Sequence, residues 1–429
     1  MEIDKSKIKL LVYDFDGVMT DNKVYIDQEG NEMVQVNRAD GLGISEIKKL
    51  GIEQMIISTE KNPVVSTRAK KIDIKCLQGI DNKKEALKNH CIDNNINLEN
   101  VVYIGNEGYI GPIVAQHYKN SMKENLIAGF DTGYFTHAIT YPTSPELNID
   151  IQYRGDVREF PSNLLNGYDS VIYLAAISND PMGNEFEQVT MDVNQNAAIR
   201  IANLSKSAGV NHFVYASSCS VYGTADDKPR TETSELNPLT AYAKSKVGAE
   251  KGLESLASEN FIISCLRFAT ACGFSPRLRL DLVLNDFVAS AIATNKIEIL
   301  SDGTPWRPLI HVNDMARAIQ WASSRPIDNG GPFLIVNAGS NRWNYQIKEL
   351  AQAVKDHFPN LDLSINENAA PDKRSYKVDF GKFKDLAKDY YPKMTLNDTV
   401  KNLSEGLSMI NFNDPDFRQS FLIRLSILN

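Results

Sequence analysis

The sequence predicts an α/β protein: a doubly wound parallel sheet joined to a smaller C-terminal domain, and preceded by a shorter, incomplete α/β segment. Three observations lead there. From residue 101 onward, short apolar runs at 126–130, 170–174 and 212–216 alternate with helix-like stretches, the pattern of parallel strands covered on both faces. The apolar run 101–104 passes directly into Gly105-x-x-Gly108-x-x-Gly111, a glycine-rich turn of the kind that opens a helix. The first hundred residues carry a strand of their own, 8–13, which ends in a pair of aspartates. A length of 429 residues exceeds what one hydrophobic core usually serves. The expected boundaries are 1–100 for the first domain, 101–275 for the doubly wound sheet, 276–412 for a domain interleaved with it, and 413–429 for a tail.

Composition narrows the functional class. A net charge of −8 and an isoelectric point near 5.4, with no basic block, argue against nucleic acid as a partner, because phosphate backbones call for a concentrated positive face. The five cysteines, Cys76, Cys91, Cys219, Cys265 and Cys272, are odd in number and include no CxxC pair, so neither a disulfide framework nor a zinc site is expected. The apolar runs are too short to span a membrane and the first residues lack a signal-peptide pattern, so a cytoplasmic protein without membrane contact is expected.

In the first hundred residues, the strand 8–13 delivers Asp14 and Asp16 to its C-terminal end in DFDGVMTD, where two carboxylates can face one Mg²⁺ ion and one of them can act as a nucleophile. On spacing alone, a turn-capping Asp pair fits equally well. A second strand, 53–57, ends at Ser58, and Lys83 follows in GIDNKKEAL, which adds a hydroxyl and an ammonium able to hold a phosphoryl group. This stretch resembles the haloacid-dehalogenase-type phosphatases that act on 3-deoxy-octulosonate 8-phosphate, including the segment NRADGLGI with Asp40 and Gly41. The resemblance implies Asp14 as nucleophile, Asp16 as general acid/base, Ser58 as the phosphate-binding hydroxyl, Lys83 as the charge clamp, and Asp14 with Asp16 as Mg²⁺ ligands. The chain departs from that family at the last acidic motif. Ile110 takes the place of a further Asp and the rest of the family's core is missing, so little phosphatase activity is expected.

The run 101–104 therefore sits at a seam. It reads as the last strand of the phosphatase-like segment and also as the first strand of a dinucleotide-binding unit, and one strand cannot serve two sheets. It is assigned here to the second, where every later element is present.

From that strand on, the glycine turn is followed by Asp131 at the end of the next apolar run, placed to bind the adenosine ribose hydroxyls and to repel a 2′-phosphate. NAD is thus expected over NADP. Tyr242 and Lys246 lie four apart, on one helix face, so the ammonium can lower the phenol's pKa and make it a general base; Ser218, after an earlier strand, can hydrogen-bond the same substrate oxygen. With GDV at Gly155, Asp156 and Val157, and LAA at Leu174, Ala175 and Ala176, this set resembles the extended short-chain dehydrogenase/reductases, the nucleotide-sugar epimerases and dehydratases of Rossmann type, over about 101–410. The resemblance implies NAD held along Gly105, Gly108, Tyr109, Ile110 and Gly111, with Asp156 and Val157 at the adenine, Ala175 and Ala176 lining the cofactor, and Asn194 supporting the site. It further implies Arg307 in RPLIHVNDMARAI at a sugar-nucleotide diphosphate, with Asn285 and Arg374 as helpers.

Dehydratases of this family carry Asp-Glu after the catalytic hydroxyl residue. Here Cys219 and Ser220 stand there, so epimerisation or a simple redox step on the sugar is expected rather than loss of water. Thr270 replaces an Asn found in many 4-epimerases, which leaves the sugar and carbon open. His311 is expected to be structural, Trp306 and Trp343 to be packing or pocket walls, and the enzyme to self-associate. Two alternatives stay open, a bifunctional enzyme with a working phosphatase and a fusion product that only binds.

Overall fold

The computed structural model describes residues 10–16, 18–29, 32–81, 83, 86, 90, 100–121, 125–178, 180–224, 228–369 and 375–425. It divides into two compact units, Met1–Leu98 and Glu99–Asn429.

In the first unit, strands β1 (Leu10–Tyr13), β2 (Thr20–Ile26), β3 (Glu32–Val36), β4 (Glu53–Ile57) and β5 (Lys75–Leu77) form two small sheets. One is parallel, in the order β1-β4-β5, and the other is the antiparallel hairpin of β2 with β3. Among the described residues β1 pairs with β4 alone, so the strand that leads to Asp14 lies at an edge. Helices Arg38–Lys48, capped by Asn37, and Val64–Ile72 cover a core of Phe15, Met19, Ile44, Ile56, Val65 and Ala69.

The second unit continues with β6 (Asn100–Ile104), β7 (Leu126–Asp131), β8 (Ile151–Arg154), β9 (Ser170–Tyr173), β10 (His212–Ser218), β11 (Ile262–Phe268), β12 (Thr270–Cys272), β13 (Lys296–Ile299), β14 (Trp306–His311), β15 (Phe333–Ala338), β16 (Asn344–Gln346) and β17 (Asp362–Ile365). Seven of these make one parallel sheet in the order β15-β11-β10-β9-β6-β7-β8. The disputed strand β6 is central in it, paired with β7 on one side and β9 on the other. Because successive strand side chains point to opposite faces, Val101 and Tyr103 enter one hydrophobic core while Val102 and Ile104 enter the other. That double burial explains why the strand reads as an unbroken apolar run. The smaller sheets β12-β14-β16 and β13-β17, with the helices Val283–Thr294, Ile347–His357 and Leu396–Met409, form the remaining layer. Segment 413–425 packs on this same unit through Phe417 and Leu422, which join the larger core.

Candidate active site

The strand order reverses between β6 and β9, and connections leave the sheet there in opposite directions, which opens a crevice at the strands' C-terminal ends. A cavity of about 970 Å³ occupies it.

The glycine turn forms one wall. Gly105 has φ +83°, and a Cβ on it would lie 2.5 Å from Ala175 N; a Cβ on Gly111 would lie 2.1 Å from Asn106 O. Glycine is therefore obligatory at both places, one to let β6 turn beneath the 174–178 loop and the other to start the helix Gly111–Ser121. The backbone N–H groups of Tyr109 and Ile110 have no protein acceptor among the described residues, an arrangement suited to a pyrophosphate at a helix N-terminus. Asp131 leaves β7 beside this turn. Its Oδ2 accepts from Glu107 N at 3.0 Å and its Oδ1 from Gly133 N at 2.8 Å. Buried Glu107 hydrogen-bonds Arg154, and burial raises its pKa. A second acid next to Asp131, with the nearby arginine already engaged, makes this end of the cavity unfavourable for a 2′-phosphate. Sequence reading missed the Glu107–Arg154 pair. Asp156 and Val157 line the same end; Arg158 forks onto the Asp156 carboxylate (2.6 Å to Oδ2) and holds its pKa below the usual range.

Asn194 lies behind the wall. Fully buried on a π-helical turn, it accepts from Ile177 N (2.8 Å) and donates to Ile177 O (3.0 Å) and Ser245 Oγ (3.1 Å), tying the loop of Ala175 and Ala176 to the helix Ala241–Glu254. Thr240 caps that helix, and Tyr242 and Lys246 line the cavity from it, with Ser218 at the end of β10. The Lys246 ammonium donates to Ala216 O at 2.7 Å and stands 5.5 Å from the centre of the Tyr242 ring. Burial pushes its pKa down to about 7, with Glu250 opposing the shift. Glu250, one turn further on, is itself buried against Arg267 (2.7 Å), and accepts from Ser217 Oγ at 2.6 Å; Arg267 reaches Tyr222 Oη at 3.0 Å. This network fixes the base of the catalytic helix and was also missed, although an acid four residues past Lys246 on the same face is a readable signal.

Arg307 on β14 also lines the cavity and donates to Trp306 O at 2.9 Å. Asn285 does not line it. Wholly buried, it donates to Tyr109 Oη (3.0 Å) and Arg279 O (2.9 Å) and accepts from Gly273 N (3.0 Å), so it is a strut between loop and glycine turn rather than a substrate contact. Arg374 lies outside the described residues. Arg279, bidentate on Asp281 and bonded to Ser178 Oγ at 2.7 Å, and Arg424 line the cavity unforeseen. Cys219 is buried and its thiol pKa is raised by burial, while Ser220 and Thr270 face the cavity. His311 caps the helix Val312–Ala322, accepts from Asn313 N at 3.1 Å and contacts Asn402 at 3.1 Å, a structural histidine. Trp343 is buried packing and donates to Met394 O.

In the first unit, both Asp14 oxygens are taken by Lys83 Nζ at 2.7 Å. Asp16 has a pKa raised by burial and by Glu60 and Asp14; Ser58 is fully buried and accepts from Glu60 N at 3.1 Å. Among the described residues no group of three or more acidic, His or Cys side chains is placed to hold a metal. Ile110 belongs to the glycine turn of the other unit and supplies no ligand.

Residues 101–339 match the model of the NAD dependent epimerase/dehydratase family. An uncharacterized UDP-glucose epimerase of Bacillus subtilis is 27% identical over 253 residues, covering 58% of this chain and 77% of that protein. UDP-glucuronic acid decarboxylase 6 of Arabidopsis thaliana is 25% identical over 321 residues, covering 72% and 89%. Among solved structures, MoeE5 in complex with UDP-glucose and NAD is similar in fold, with a TM-score of 0.61 and 23% identity over 72% of this chain and 99% of that one.

Proposed function

The chain belongs to the NAD dependent epimerase/dehydratase family, and we propose that within it this enzyme epimerises a nucleotide-linked sugar, with a UDP-sugar as the first candidate. It is an NAD-dependent enzyme of the extended short-chain dehydrogenase/reductase type. Relatives catalyse different reactions, so the choice rests on the site. One observation carries it: Tyr242 and Lys246 share a wall of the cavity with Ser218, while Cys219 and Ser220 occupy the positions where a dehydratase keeps its acid pair.

NAD, held along the glycine turn, would supply reversible hydride chemistry, and an epimer results when the keto sugar turns over so that the hydride comes back to the opposite face of the same carbon. Tyr242 takes the proton from the hydroxyl on that carbon and gives it back afterwards. Lys246, held by Ala216 O, keeps positive charge near the phenolate, and Ser218 steadies the same oxygen. Arg307 is assigned to the nucleotide diphosphate, supported by its place among the residues that line the same cavity as Tyr242. The presence of UDP-sugar enzymes among the relatives supports the substrate class. For the first unit we favour a haloacid-dehalogenase-like remnant without phosphatase turnover, supported by Ile110 standing where that family continues with a further Asp. A cytoplasmic location is supported by four free cysteines, Cys76, Cys219, Cys265 and Cys272. Among the described residues no helix is long and apolar enough to cross a membrane. Self-association completes the reading, and light scattering tests it.

The experiment is a panel of UDP-hexoses, UDP-N-acetylhexosamines and UDP-glucuronate followed by proton NMR. Appearance of an epimer without release of water or CO₂ supports the proposal. Carbon dioxide or an unsaturated product instead assigns the site to decarboxylation or dehydration.

A further inference from the structure

Segment 413–425 reaches into the cavity by a route that no motif marks. Leu280 N donates to Leu422 O at 3.0 Å, and Arg418 forks onto Asp286 at 2.7 and 2.9 Å, so the segment is pinned beside the loop that carries Arg277 and Arg279. Arg424 follows. Its side chain is 2% exposed and lines the cavity, with its guanidinium 4.8 Å from the centre of the Phe135 ring.

Among the described residues the acceptors of Arg424 are backbone carbonyls: Phe421 O at 3.3 Å, Arg277 O at 3.0 Å and Leu278 O at 3.4 Å. Of its charged neighbours Asp281 favours the cation, while Arg277 and Arg279 oppose it. Arg277 is committed to Glu146, and Arg279 is bidentate on Asp281, the nearest acid. Burial, with Arg279 and Arg277 alongside, pushes the Arg424 pKa down to about 9. A buried cation that forms no ion pair among the described residues is costly, and here it borders the cavity that the glycine turn lines.

Position separates the two phosphate ligands. Tyr109 Oη donates to Gly273 O at 2.5 Å and Ser275 Oγ to Tyr109 O at 2.6 Å, so the 273–279 loop on which Arg424 rests is bonded to the glycine turn itself. Phe135, under the guanidinium, follows Asp131 on the cofactor side. We propose that Arg424 completes the dinucleotide site by binding the pyrophosphate of NAD seated on the turn at residues 105–111, which makes segment 413–425 part of the cofactor pocket. This rests on NAD occupying the cavity as described above.

The test is calorimetry on the full chain with NAD, ADP-ribose, which retains the pyrophosphate, and UDP. A charge-assisted hydrogen bond sets the scale, so Arg424→Met is expected to weaken NAD and ADP-ribose by roughly ten- to a hundred-fold. UDP binding stays within about twofold, and the thermal midpoint of the ligand-free protein is unchanged or higher, because an uncompensated charge has been removed. A purely structural arginine would do the reverse, lowering the ligand-free midpoint and leaving NAD affinity intact. That result, or weakened UDP binding with unchanged NAD, overturns the proposal. If the Met variant fails to fold, Arg424→Lys carries the test; it keeps the charge without the fork, and is expected to lose several-fold in NAD affinity at an unchanged midpoint, while full affinity overturns the proposal. A wild type that binds neither NAD nor ADP-ribose overturns the cofactor reading itself, whereas a wild type and Arg424 variants that bind both equally well overturn only the role of Arg424.

Discussion

Among the described residues, Asp14 leaves an edge strand of a three-stranded sheet over a core of six buried residues, whereas Asp131 leaves an interior strand of a seven-stranded sheet with a large core on each face. Both carboxylates sit where α/β proteins place their chemistry, at the C-terminal end of a parallel strand. Their surroundings differ. Lys83 hydrogen-bonds Asp14, while Asp131 is locked to the glycine turn and faces a cavity assembled from several strands and helices. In the unit that holds β6, residues from neighbouring strands and helices line the cavity beside the strand-end acid.

The largest expected effect tests this difference in burial. Val102→Asp would place an unpaired carboxylate at a site with 0% exposure and should cost roughly 4 kcal/mol or more. Val12→Asp, on the 38% exposed edge strand β1, should cost about 1 kcal/mol or less. All three tryptophans, Trp306, Trp321 and Trp343, belong to the second unit, so tryptophan fluorescence during urea unfolding reads that unit alone. Its midpoint should fall steeply for Val102→Asp and stay put for Val12→Asp. Equal shifts would mean that the two sheets share one cooperative core.

The next effect concerns Lys246, whose pKa burial pushes to about 7 while an unfolded lysine titrates near 10.4. Below pH 7 both states are protonated and the full cost of the buried cation is present. Between about 7 and 10 the unfolded chain binds more protons than the folded one, so ligand-free stability rises with pH through that window. Lys246→Met should remove that slope and raise stability near pH 6 by an order of a few kcal/mol. Denaturant midpoints at pH 6, 8 and 9.5 measure it, and a wild-type curve without the rise would show that the ammonium is better solvated than its surroundings indicate.

The cofactor preference is the smallest of these effects. Asp131→Ala should reduce the preference for NAD over NADP by about tenfold, equivalent to about 1.4 kcal/mol, and no further, because Glu107 remains beside the ribose end. Titrating both dinucleotides checks this. Complete loss of discrimination would assign the whole effect to Asp131.

Much of the site was legible because it is written locally. The glycine turn needs glycines at fixed spacing to pass Ala175 and Asn106, and a tyrosine–lysine pair one helical turn apart needs only a helix. The apolar run of β6 also told of a doubly covered strand, once the later elements were counted. What escaped is built from residues distant in sequence. Arg279, Asp281 and Arg424 converge with nothing to mark them except an arginine inside the apolar stretch FLIRLS, and Asn285 was read as a ligand contact because a buried amide strut and a substrate contact look alike in one sequence. The Glu250–Arg267 pair joins a helix to a strand, a relation that sequence periodicity does not carry.

Proton NMR of UDP-sugar turnover, run in parallel on wild type, Tyr242→Phe and Asp14→Asn with excess Mg²⁺ and an added panel of sugar phosphates, and with inorganic phosphate followed in the same samples, tests the division of labour between the units most directly. The account expects an epimer from wild type and Asp14→Asn, at least about 10²-fold less from Tyr242→Phe, and no Asp14-dependent phosphate release from sugar phosphates. Undiminished turnover in Tyr242→Phe, or phosphate release that disappears with Asp14, would contradict it.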